Sequence, residues 1–362
     1  MIFRRKIELI VFTLVIAFIS SCTDKLDINN IDTGSGNVNI VGDTVFVQIN
    51  PVWGGFNKPH DVMVGREPFI YVADTENDRI VMLNLDGQVL SALNLRSLNI
   101  RKPIALAQDY MLNLIFCAEF DTLGQSFGAV YKIDLVSADH NLDVAPKKRI
   151  LPQLTDFAQP QRRYKACAAL FDNSYFIGRV GPNNSNLIDP DNSILIFIQR
   201  KLIDGTIKDS LVGRVPFLDP TGSGILSANQ ISSISSYNSP SYNMLLSLTG
   251  ENSFKVQPLE YFSSPQFTGY QPEFPPLSND LMIPGFFKKP EGATVDNAGN
   301  IYVADAETDS VFKFNSFGDL LISFGGPDKF TNPFSVAFFD KTLYVADTGN
   351  DRIVRFILST DL

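Results

Sequence analysis

The chain has 362 residues, with 39 acidic against 30 basic side chains, a formal net charge of −9 at pH 7. A protein of this charge repels nucleic acid, and no basic stripe along the sequence offsets it, which excludes a nucleic-acid partner. The sequence also lacks a glycine-rich phosphate loop, a Gly-x-Ser-x-Gly elbow, a Cys-x-x-Cys pair and a His-Glu-x-x-His motif, which excludes the enzyme classes built on them.

Residues 1–22 have the pattern of an export signal. Basic residues at positions 4–6 precede an apolar segment at 7–18 that is too short for a comfortable membrane span. The segment ends in Ser-Ser-Cys at Cys22, which resembles a bacterial lipobox, where the cysteine is lipidated. We therefore predict a lipoprotein signal peptide and a lipid-anchored protein of the bacterial cell envelope, most simply in the outer membrane. An ordinary secretory signal or an uncleaved anchor is the alternative.

The segment that follows, residues 23–43, is polar and contains glycines, so it is predicted to be a flexible tether between lipid and folded domain. Beyond it the chain has two further cysteines, Cys117 and Cys167. Both lie in apolar runs and have the sequence context of small buried hydrophobic residues. Whether they form a disulfide is left open.

A repeated segment dominates the rest of the chain. It occurs at residues 70–75 (IYVADT), 301–306 (IYVADA) and 343–348 (LYVADT). Tyr302 and Tyr344 are 42 positions apart, which is the length of one four-stranded propeller blade.

Other features keep the same spacing. A Phe-x-x-Pro motif precedes each repeat, at residues 56–59, 287–290 and 330–333. Downstream of two of the repeats, glycines at positions 87 and 318 indicate tight turns. Together these features resemble the NHL repeat family of β-propellers. Weaker copies align at three further places, residues 116–119, 175–178 and 244–247. The resemblance implies an all-β, six-bladed β-propeller over residues 44–362.

The two ends of this region predict how the ring closes. The last strand-like segment of the chain, residues 352–357, aligns with the third strand of a blade. No fourth strand is predicted after it. Residues 44–49 are a strand-like segment before the first blade. We expect this N-terminal strand to complete the C-terminal blade, because pairing the first and last strands removes exposed sheet edges.

Extra residues beyond six regular blades are concentrated in a few connections, which we predict lie between strands b and c or between successive blades. These are residues 120–127, 180–192, 137–165, 216–230 and 257–286. Such connections share one face of a propeller, so we predict a binding face there; tolerated drift in loop length is the alternative. The 257–286 segment contains Tyr261, Phe267 and Tyr270, which are candidates to stack on sugars or anchor a partner, or to pack the loop down.

Three carboxylates stand out in the repeat, Asp74, Asp305 and Asp347, but each ends strand b of a different blade. We predict a structural role, in which each accepts hydrogen bonds from the backbone amides that follow and Arg79 and Arg352 brace the corner.

Residues just before each inner strand point to the mouth of the central channel. Reading around the ring, these positions hold His60, Ile104, Lys165, Gln230, Glu291 and Phe334. A His, a Lys and a Glu that converge there are candidates to bind a polar ligand or a cation; solvated rim residues are the alternative.

The resemblance also brings two enzyme classes to consider. Peptidyl-amidating lyases hold zinc through several histidines, and this chain has only His60 and His140. Gluconolactonase-like propellers bind a divalent cation through a channel carboxylate, for which Glu291 is the candidate, but the inner strands at 104–107 and 167–170 are apolar. No catalytic residue, metal site or cofactor is assigned, although a divalent cation in the channel is left open.

The sequence therefore predicts a non-catalytic binding module of the cell envelope that holds an envelope protein, peptide or glycan on the long-loop face. The expected contacts are His60, Lys165, Gln230, Glu291, Tyr261, Phe267 and Tyr270. The membrane is reached through the lipid anchor at Cys22 only. A metal-dependent hydrolase or lactonase of the gluconolactonase-like kind is the first alternative, and a structural scaffold of an envelope complex is the second.

Overall fold

The computed structural model describes residues 44–122, 124–237 and 240–362. The predicted signal peptide at 1–22, its Cys22 and the tether at 23–43 lie outside the described residues. None of the helices in the described part of the chain is long and apolar enough to cross a membrane.

The described residues form six four-stranded antiparallel sheets, which are the blades of a β-propeller. The strands are β1 (Phe46–Trp53); in blade one β2 (Pro59–Val64), β3 (Ile70–Asp74), β4 (Arg79–Leu83) and β5 (Val89–Asn94); in blade two β6 (Ile100–Gln108), β7 (Asn113–Thr122), β8 (Gln125–Asp134) and β9 (Lys147–Leu151); in blade three β10 (Arg163–Ala169), β11 (Tyr175–Val180), β12 (Ser193–Lys201) and β13 (Ile207–Arg214); in blade four β14 (Ile231–Ser236), β15 (Met244–Leu248), β16 (Val256–Ser263) and β17 (Thr268–Pro272); in blade five β18 (Pro290–Val295), β19 (Ile301–Asp305), β20 (Ser310–Phe314) and β21 (Leu320–Gly325); and in blade six β22 (Pro333–Phe339), β23 (Thr342–Asp347) and β24 (Arg352–Leu358).

Short 3-10 helices lie in the connections between these strands. In the described residues they are Thr75–Asn77, Arg96–Leu98, Val136–Ala138, Leu154–Ala158, Asp280–Met282, Thr348–Asn350 and Ser359–Asp361.

The ring closes as the sequence predicts. Strand β1 pairs antiparallel with β24, with Phe46 opposite Leu358 and Gln48 opposite Phe356, so the sheet order of blade six is β1-β24-β23-β22. The side chain of Phe46 is buried, and its ring lies 4.7 Å from that of Phe324 in blade five. The N-terminal strand is therefore the outermost strand of the last blade, and it links that blade to the preceding one.

The hydrophobic core lies between neighbouring blades. Each residue of β3 and of β19 is buried, because each of these strands is covered by a blade on either side. The ring of Tyr302 in blade five stacks on that of Phe338 in blade six, with the centroids 5.0 Å apart. This burial on both faces explains why the repeated Ile-Tyr-Val-Ala segment is a continuous apolar run rather than an alternating one.

Two of the predicted loops contain strands. Residues 137–165 include β9, and residues 257–286 include most of β16 and all of β17, so the prediction of a single loop is wrong in both places. The prolines of blade four favour a loop assignment, since proline is rare in a strand that is paired on both sides. Pro258 nevertheless lies within β16, opposite Leu245 of β15.

The surplus residues are also less one-sided than predicted. Residues 135–146 join β8 to β9, so blade two has a long connection between strands c and d. Residues 120–127 continue the hairpin of β7 and β8, with Phe120 opposite Phe127 and Thr122 opposite Gln125. The long connections that remain between strands b and c or between blades are 181–192, 152–162, 215–230 and 273–289.

Candidate functional site

The repeated aspartates form the corner at which each blade begins. Asp74 is fully buried, and its Oδ1 accepts a hydrogen bond from the amide of Asn57 at 2.7 Å. Its Oδ2 accepts from Asn77 Nδ2 at 2.9 Å and from Arg79 Nε at 2.6 Å. These contacts tie the incoming connection to the end of strand b, as a structural residue does.

The corner is repeated in the last two blades. Asp347 accepts from the amide of Thr331 at 2.7 Å and from Arg352 Nε at 2.7 Å. Asp305 accepts from the amides of Lys288 at 2.7 Å and Lys289 at 2.9 Å. The backbone amides that donate at 2.7 to 2.9 Å therefore precede the aspartate in the chain. A backbone amide that follows, as the sequence predicts, donates in blade five, where Glu307 bonds to Asp305 Oδ1 at 3.3 Å.

Blade three carries an arginine at this corner. Tyr164 pairs with Arg179 just before a bulge, as Pro59 pairs with Asp74 in blade one, so Arg179 occupies the position of Asp74. The sequence alignment had put Gly178 there. Arg179 is buried, and its Nη2 lies 2.5 Å from Asp189 Oδ1.

A second arginine completes this network. Arg162 is buried, and it contacts Asp191 Oδ1 through Nε and Asp189 Oδ2 through Nη2, both at 2.7 Å. Burial by itself would raise the pKa of Asp189, but hydrogen bonds from Arg179 and Arg162 outweigh it and lower that pKa. The network fixes the 181–192 connection to the blade, so Arg162 serves the blade corner.

A β-bulge interrupts the first strand of every blade at the same place. In five blades one residue lies on the bulge, and these residues are His60, Lys165, Ser232, Glu291 and Phe334. In blade two the shift in register covers residues 102–104 and ends at Ile104. A bulge adds one unpaired residue and turns its side chain out of the ladder. Since the first strands surround the axis, the six bulges form a ring at one end of the channel. We call this ring the channel mouth.

Five of the six positions are those that the sequence predicts, but blade four differs. Its bulge residue is Ser232, whereas Gln230 precedes β14 with a left-handed backbone (φ 56°) and lies outside the residues that line the channel. The Ser232 hydroxyl donates to the carbonyl of Pro290 at 2.7 Å. No motif in blade four identified the right residue, because its strand b lacks the Tyr-Val-Ala-Asp pattern.

The channel itself is a cavity of about 500 Å³ lined by the first strands of all six blades. At the end opposite the mouth, Arg66 stacks on Tyr110, with Cζ 3.3 Å from the ring centroid. A side chain at Gly292 would bring Cβ to 2.4 Å from the carbonyl oxygen of Phe334, so only glycine allows blades five and six to approach this closely.

His60 lies on the mouth as a neutral imidazole. Its ring meets that of Phe334 edge-on, with the centroids 4.8 Å apart. Burial lowers the pKa of His60 to about 3, and the positive charges of Lys165 and Lys289 act in the same direction, against a hydrogen bond to the backbone of Ile104. His60 therefore carries no charge at neutral pH.

Glu291 and Lys165 differ in how their charges are balanced. Glu291 Oε1 lies 2.8 Å from Lys289 Nζ, and that ammonium group also lies 5.4 Å from the ring of Phe334. Lys165 lines the channel, and among the described residues it forms no salt bridge. Glu291 is thus a paired carboxylate, whereas the Lys165 ammonium group has no salt bridge among the described residues.

Asp61 follows His60 and joins three blades. Its Oδ1 accepts from the hydroxyl of Ser335 in blade six at 2.6 Å, and its Oδ2 accepts from the amide of Leu106 in blade two at 2.7 Å. Burial raises the pKa of Asp61, although these hydrogen bonds oppose the shift. The Ser335 contact spans 274 residues, so the sequence alone gave no sign of it.

The aromatic candidates lie on the outer strands of blade four and not on the channel. Tyr270 is buried, and its hydroxyl donates to the carbonyl of Tyr242 at 2.8 Å; its ring centroid is 5.6 Å from that of Tyr261. Phe267 is partly exposed at the turn before β17, where its ring lies 5.4 Å from that of Phe217. The structure therefore separates these residues from His60, Lys165 and Glu291.

Both described cysteines are free and buried between blades two and three. Cys117 Sγ lies 3.6 Å from the carbonyl oxygen of Ala166, and Cys167 Sγ lies 3.7 Å from that of Ile115. Burial, followed by the neighbouring Cys117, raises the pKa of Cys167 well above its usual value. Cys167 is therefore a protonated thiol in this interface.

Metal ligands are the last chemistry to consider. Within residues 44–122, 124–237 and 240–362, no three His, Cys, Asp or Glu side chains converge in a way that could hold a metal ion. Glu291, the candidate first ligand, has Lys289 as its nearest charged partner.

Comparison with known proteins agrees with the fold. A family model described as the NHL repeat matches residues 287–314. Comparison with curated protein sequences gives no match. Among solved structures, the chain is similar to a luciferin-regenerating enzyme, at 13% identity and a TM-score of 0.52, with 87% of this chain and 95% of that chain covered.

Two further structures have the same degree of similarity. A PQQ-bound aldose sugar dehydrogenase from Streptomyces coelicolor is 11% identical over 88% of this chain and 99% of its own, with a TM-score of 0.52. The calcium-binding protein regucalcin from Agrobacterium tumefaciens is 13% identical over 86% and 94%, with a TM-score of 0.52. At such identities the likeness shows the fold alone. The chain is thus a six-bladed β-propeller that contains an NHL repeat.

Proposed function

We propose that this protein is a non-catalytic binding module of the bacterial cell envelope, exported and held by a lipid on Cys22, whose channel mouth binds a polar group of its ligand. The observation that carries the proposal is that equivalent bulges turn His60, Lys165 and Glu291 toward one opening of one cavity. A ring of side chains on rigid strands is preorganised for binding, which reduces the entropy lost when a ligand is held.

The state of the ionisable groups favours binding over acid–base catalysis. His60 is neutral, with a pKa lowered to about 3, and is hydrogen-bonded to the backbone of Ile104. Glu291 is paired with Lys289, and both oxygens of Asp61 accept hydrogen bonds from the protein. General acid–base catalysis requires a group with a pKa near the working pH and a free approach to the substrate. These groups are engaged with the protein instead.

The compartment and the partner rest on the sequence. The basic, apolar and Ser-Ser-Cys segments of residues 1–22 support export and lipidation at Cys22, and the acidic charge of the chain disfavours nucleic acid. In the cell envelope the available ligands are proteins, peptides, glycans and small metabolites. We place the protein in the outer membrane through its lipid anchor alone.

Lipidation is tested with labelled fatty acid in cells that express the full-length chain or the Cys22→Ala variant. We expect label in the wild-type protein only, together with its recovery in the membrane fraction and release of the variant. An unlabelled wild-type protein of unprocessed length would contradict the lipid anchor and leave the propeller itself unaffected.

Binding is tested by thermal shift and calorimetry of the purified full-length protein with a panel of peptides, oligosaccharides and small organic acids. Lys165→Met and Glu291→Gln change the mouth, and Lys201→Met and Glu307→Gln are matched exposed controls. We expect a ligand whose affinity falls at least tenfold in a mouth variant and stays unchanged in both controls. The proposal fails if every ligand found is insensitive to the mouth.

The lactonase alternative has its own measurement. Metal analysis of the purified protein, followed by melting before and after EDTA, would support it if a stoichiometric divalent ion were retained and its removal lowered the melting temperature. Lactone hydrolysis that Glu291→Gln abolishes would then replace the binding function proposed above.

A further inference from the structure

We infer that the channel mouth binds the carboxylate of a small organic acid, with Lys165 as its counter-charge and the apolar channel wall around its body. This inference rests on the proposed function, because it specifies the ligand class of the same site. Three observations support it: the unpaired ammonium group at the mouth, the engagement of two channel hydroxyls, and the apolar residues among those that line the wall.

The balance of charge comes first. The charged residues that line the channel are Asp61, Arg66, Lys165 and Glu291. Glu291 is paired with Lys289 at 2.8 Å, and each oxygen of Asp61 accepts one hydrogen bond from a neutral donor of the protein. Arg66 lies at the opposite end, stacked on Tyr110 and hydrogen-bonded to the carbonyl of Gln108 at 3.2 Å.

Lys165 is thus the one lining charge at the mouth without a partner among the described residues. Its ammonium and that of Lys289 both disfavour protonation of His60, so positive charge lies beside the imidazole at the mouth. A half-buried, unpaired ammonium group in a concave site favours an anionic ligand, because desolvation strengthens the attraction.

The hydroxyl groups of the wall argue against a sugar. Strand β14 presents Ser232, Ser233 and Ser235 toward blade five, and each is already bonded to the backbone of β18. Ser232 donates to Pro290 at 2.7 Å and Ser235 donates to the carbonyl of Ala293 at 2.5 Å. A polyhydroxylated ligand needs free donors and acceptors to replace its water, and Ser232 and Ser235 do not offer their protons to it. Ser233 instead accepts from the amide of Ala293 at 3.2 Å.

The rest of the wall mixes polar side chains, among them Gln108, Ser236 and Thr294, with apolar ones. Ile104 and Phe334 occupy the mouth on two of the bulges, and most of the apolar residues behind them are small or aliphatic. This lining includes Met63, Ala105, Leu106, Ala107, Ala168 and Val336. An aliphatic body placed there gains the hydrophobic contribution of about 0.8 kcal/mol per buried methylene. An inorganic anion would gain nothing from this wall.

The test uses the two histidines of the chain as reporters. Ring resonances of His60 are followed by NMR in the full-length protein, and His140, which lies outside the channel lining and contacts Glu67, is the internal reference. The probes are pentanoate and N-acetylleucine, the latter representing the C-terminus of a peptide. Pentanamide and N-acetylleucinamide have the same bodies without the charge.

We expect saturable shifts of the His60 resonances with pentanoate or N-acetylleucine, and at least tenfold weaker binding of the matching amide. Lys165→Met is expected to weaken the carboxylate at least tenfold, Lys165→Arg to restore most of the affinity, and Lys201→Met to leave it unchanged. The stronger of the two acids identifies the source, a free acid or a peptide C-terminus. The arginine variant guards against a folding defect in Lys165→Met.

Three outcomes overturn the inference and differ in what they say of the proposed function. Inorganic phosphate that binds as tightly as pentanoate would show an anion site with no preference for an organic body. If pentylamine binds and Glu291→Gln weakens that binding, the mouth is a cation site and not an anion site. In both cases binding at the mouth stands. If no probe moves the His60 resonances and no ligand of the wider panel depends on the mouth, the proposed function fails as well.

Discussion

Asp347 accepts a hydrogen bond from Arg352 Nε at 2.7 Å, five residues further along the chain, while its other oxygen accepts from the amide of Thr331 at 2.7 Å. The carboxylate is fully buried and the arginine side chain is about a third exposed, at 30%. The pair therefore closes the corner between the incoming connection and two strands of blade six. The three repeated aspartates do not form a catalytic set, because such a set requires its carboxylates in one cavity and each of these aspartates lies in a different blade.

The first prediction concerns this corner. Asp347→Ala removes the acceptor of both bonds and of a third from Asn350 Nδ2, and it leaves the half-buried amide of Thr331 without this partner. We expect the free energy of unfolding to fall by about 3–5 kcal/mol, the usual cost of breaking a buried charged pair from one side. Urea denaturation followed by circular dichroism measures the change. Asp328→Ala, at an exposed position, is the control and should stay within about 0.5 kcal/mol of the wild type.

Much of the fold could be predicted because a short sequence motif specifies the corner of a blade. Asp74 and Asp347 with their arginines recur with fixed spacing, and each marks the end of strand b. Blade four lacks this mark: Leu248 pairs with Ile231 where an aspartate would stand. The sequence therefore predicts a loop for its outer strands, because the segment is rich in proline and its strand pattern is weak.

The second prediction tests the closure of the ring. Phe46 is buried only because β1 pairs with β24 and brings its ring against Phe324 of blade five. Phe46→Ala should lower the free energy of unfolding by about 3 kcal/mol through the lost contacts and the cavity left behind. Val45→Ala changes the adjacent, exposed residue and is expected to have little effect. Equal losses in the two variants would contradict a closed blade six.

The third prediction concerns His60 and pH. Its folded pKa is about 3, below the value of about 6.5 expected in the unfolded chain, so the unfolded state binds more protons between these values. The stability contributed by the neutral ring is complete above about pH 6.5 and is lost as the pH falls toward 3. Wild-type protein should therefore lose more stability between pH 7.5 and 5.0 than His60→Gln does.

The same ring reports on its neighbour. The charge of Lys165 is, after burial, the second cause of the lowered pKa of His60, so Lys165→Met should raise that pKa. An NMR titration of the His60 ring in the two proteins measures the shift, with Lys201→Met as the control of equal charge change. An unchanged titration in Lys165→Met would place the ammonium group away from His60 and remove the counter-charge on which the carboxylate site depends.

The site itself was only partly readable from the sequence. His60, Lys165 and Glu291 could be predicted from their position relative to the repeat, although the structure puts each inside its inner strand, on the bulge, and not just before the strand. The distance from the repeat gave the wrong residue in blade four, where the bulge falls on Ser232 and not on Gln230. The pairing partners that decide the chemistry are set by packing between blades, and the contact of Ser335 with Asp61 shows how far apart in sequence such partners lie.

The last prediction concerns the inverted corner of blade three. Asp191 is 1% exposed and holds Arg162 Nε at 2.7 Å, so Asp191→Ala leaves a buried guanidinium with an incomplete set of acceptors. We expect a loss of about 3–5 kcal/mol in the free energy of unfolding and faster hydrogen exchange in the 181–192 connection. Glu251→Ala, at an exposed position, is the control for both measurements.

A double variant separates the ion pair from simple packing. Arg162→Ala with Asp191→Ala removes both partners, so no uncompensated charge remains from this pair, while Arg179 keeps its contact with Asp189. The loss in the double variant should then be smaller than the sum of the two single losses, by about 1–3 kcal/mol of coupling. Additive losses would mean that Arg162 and Asp191 stabilise the blade through packing alone, and that their ion pair contributes nothing to this corner.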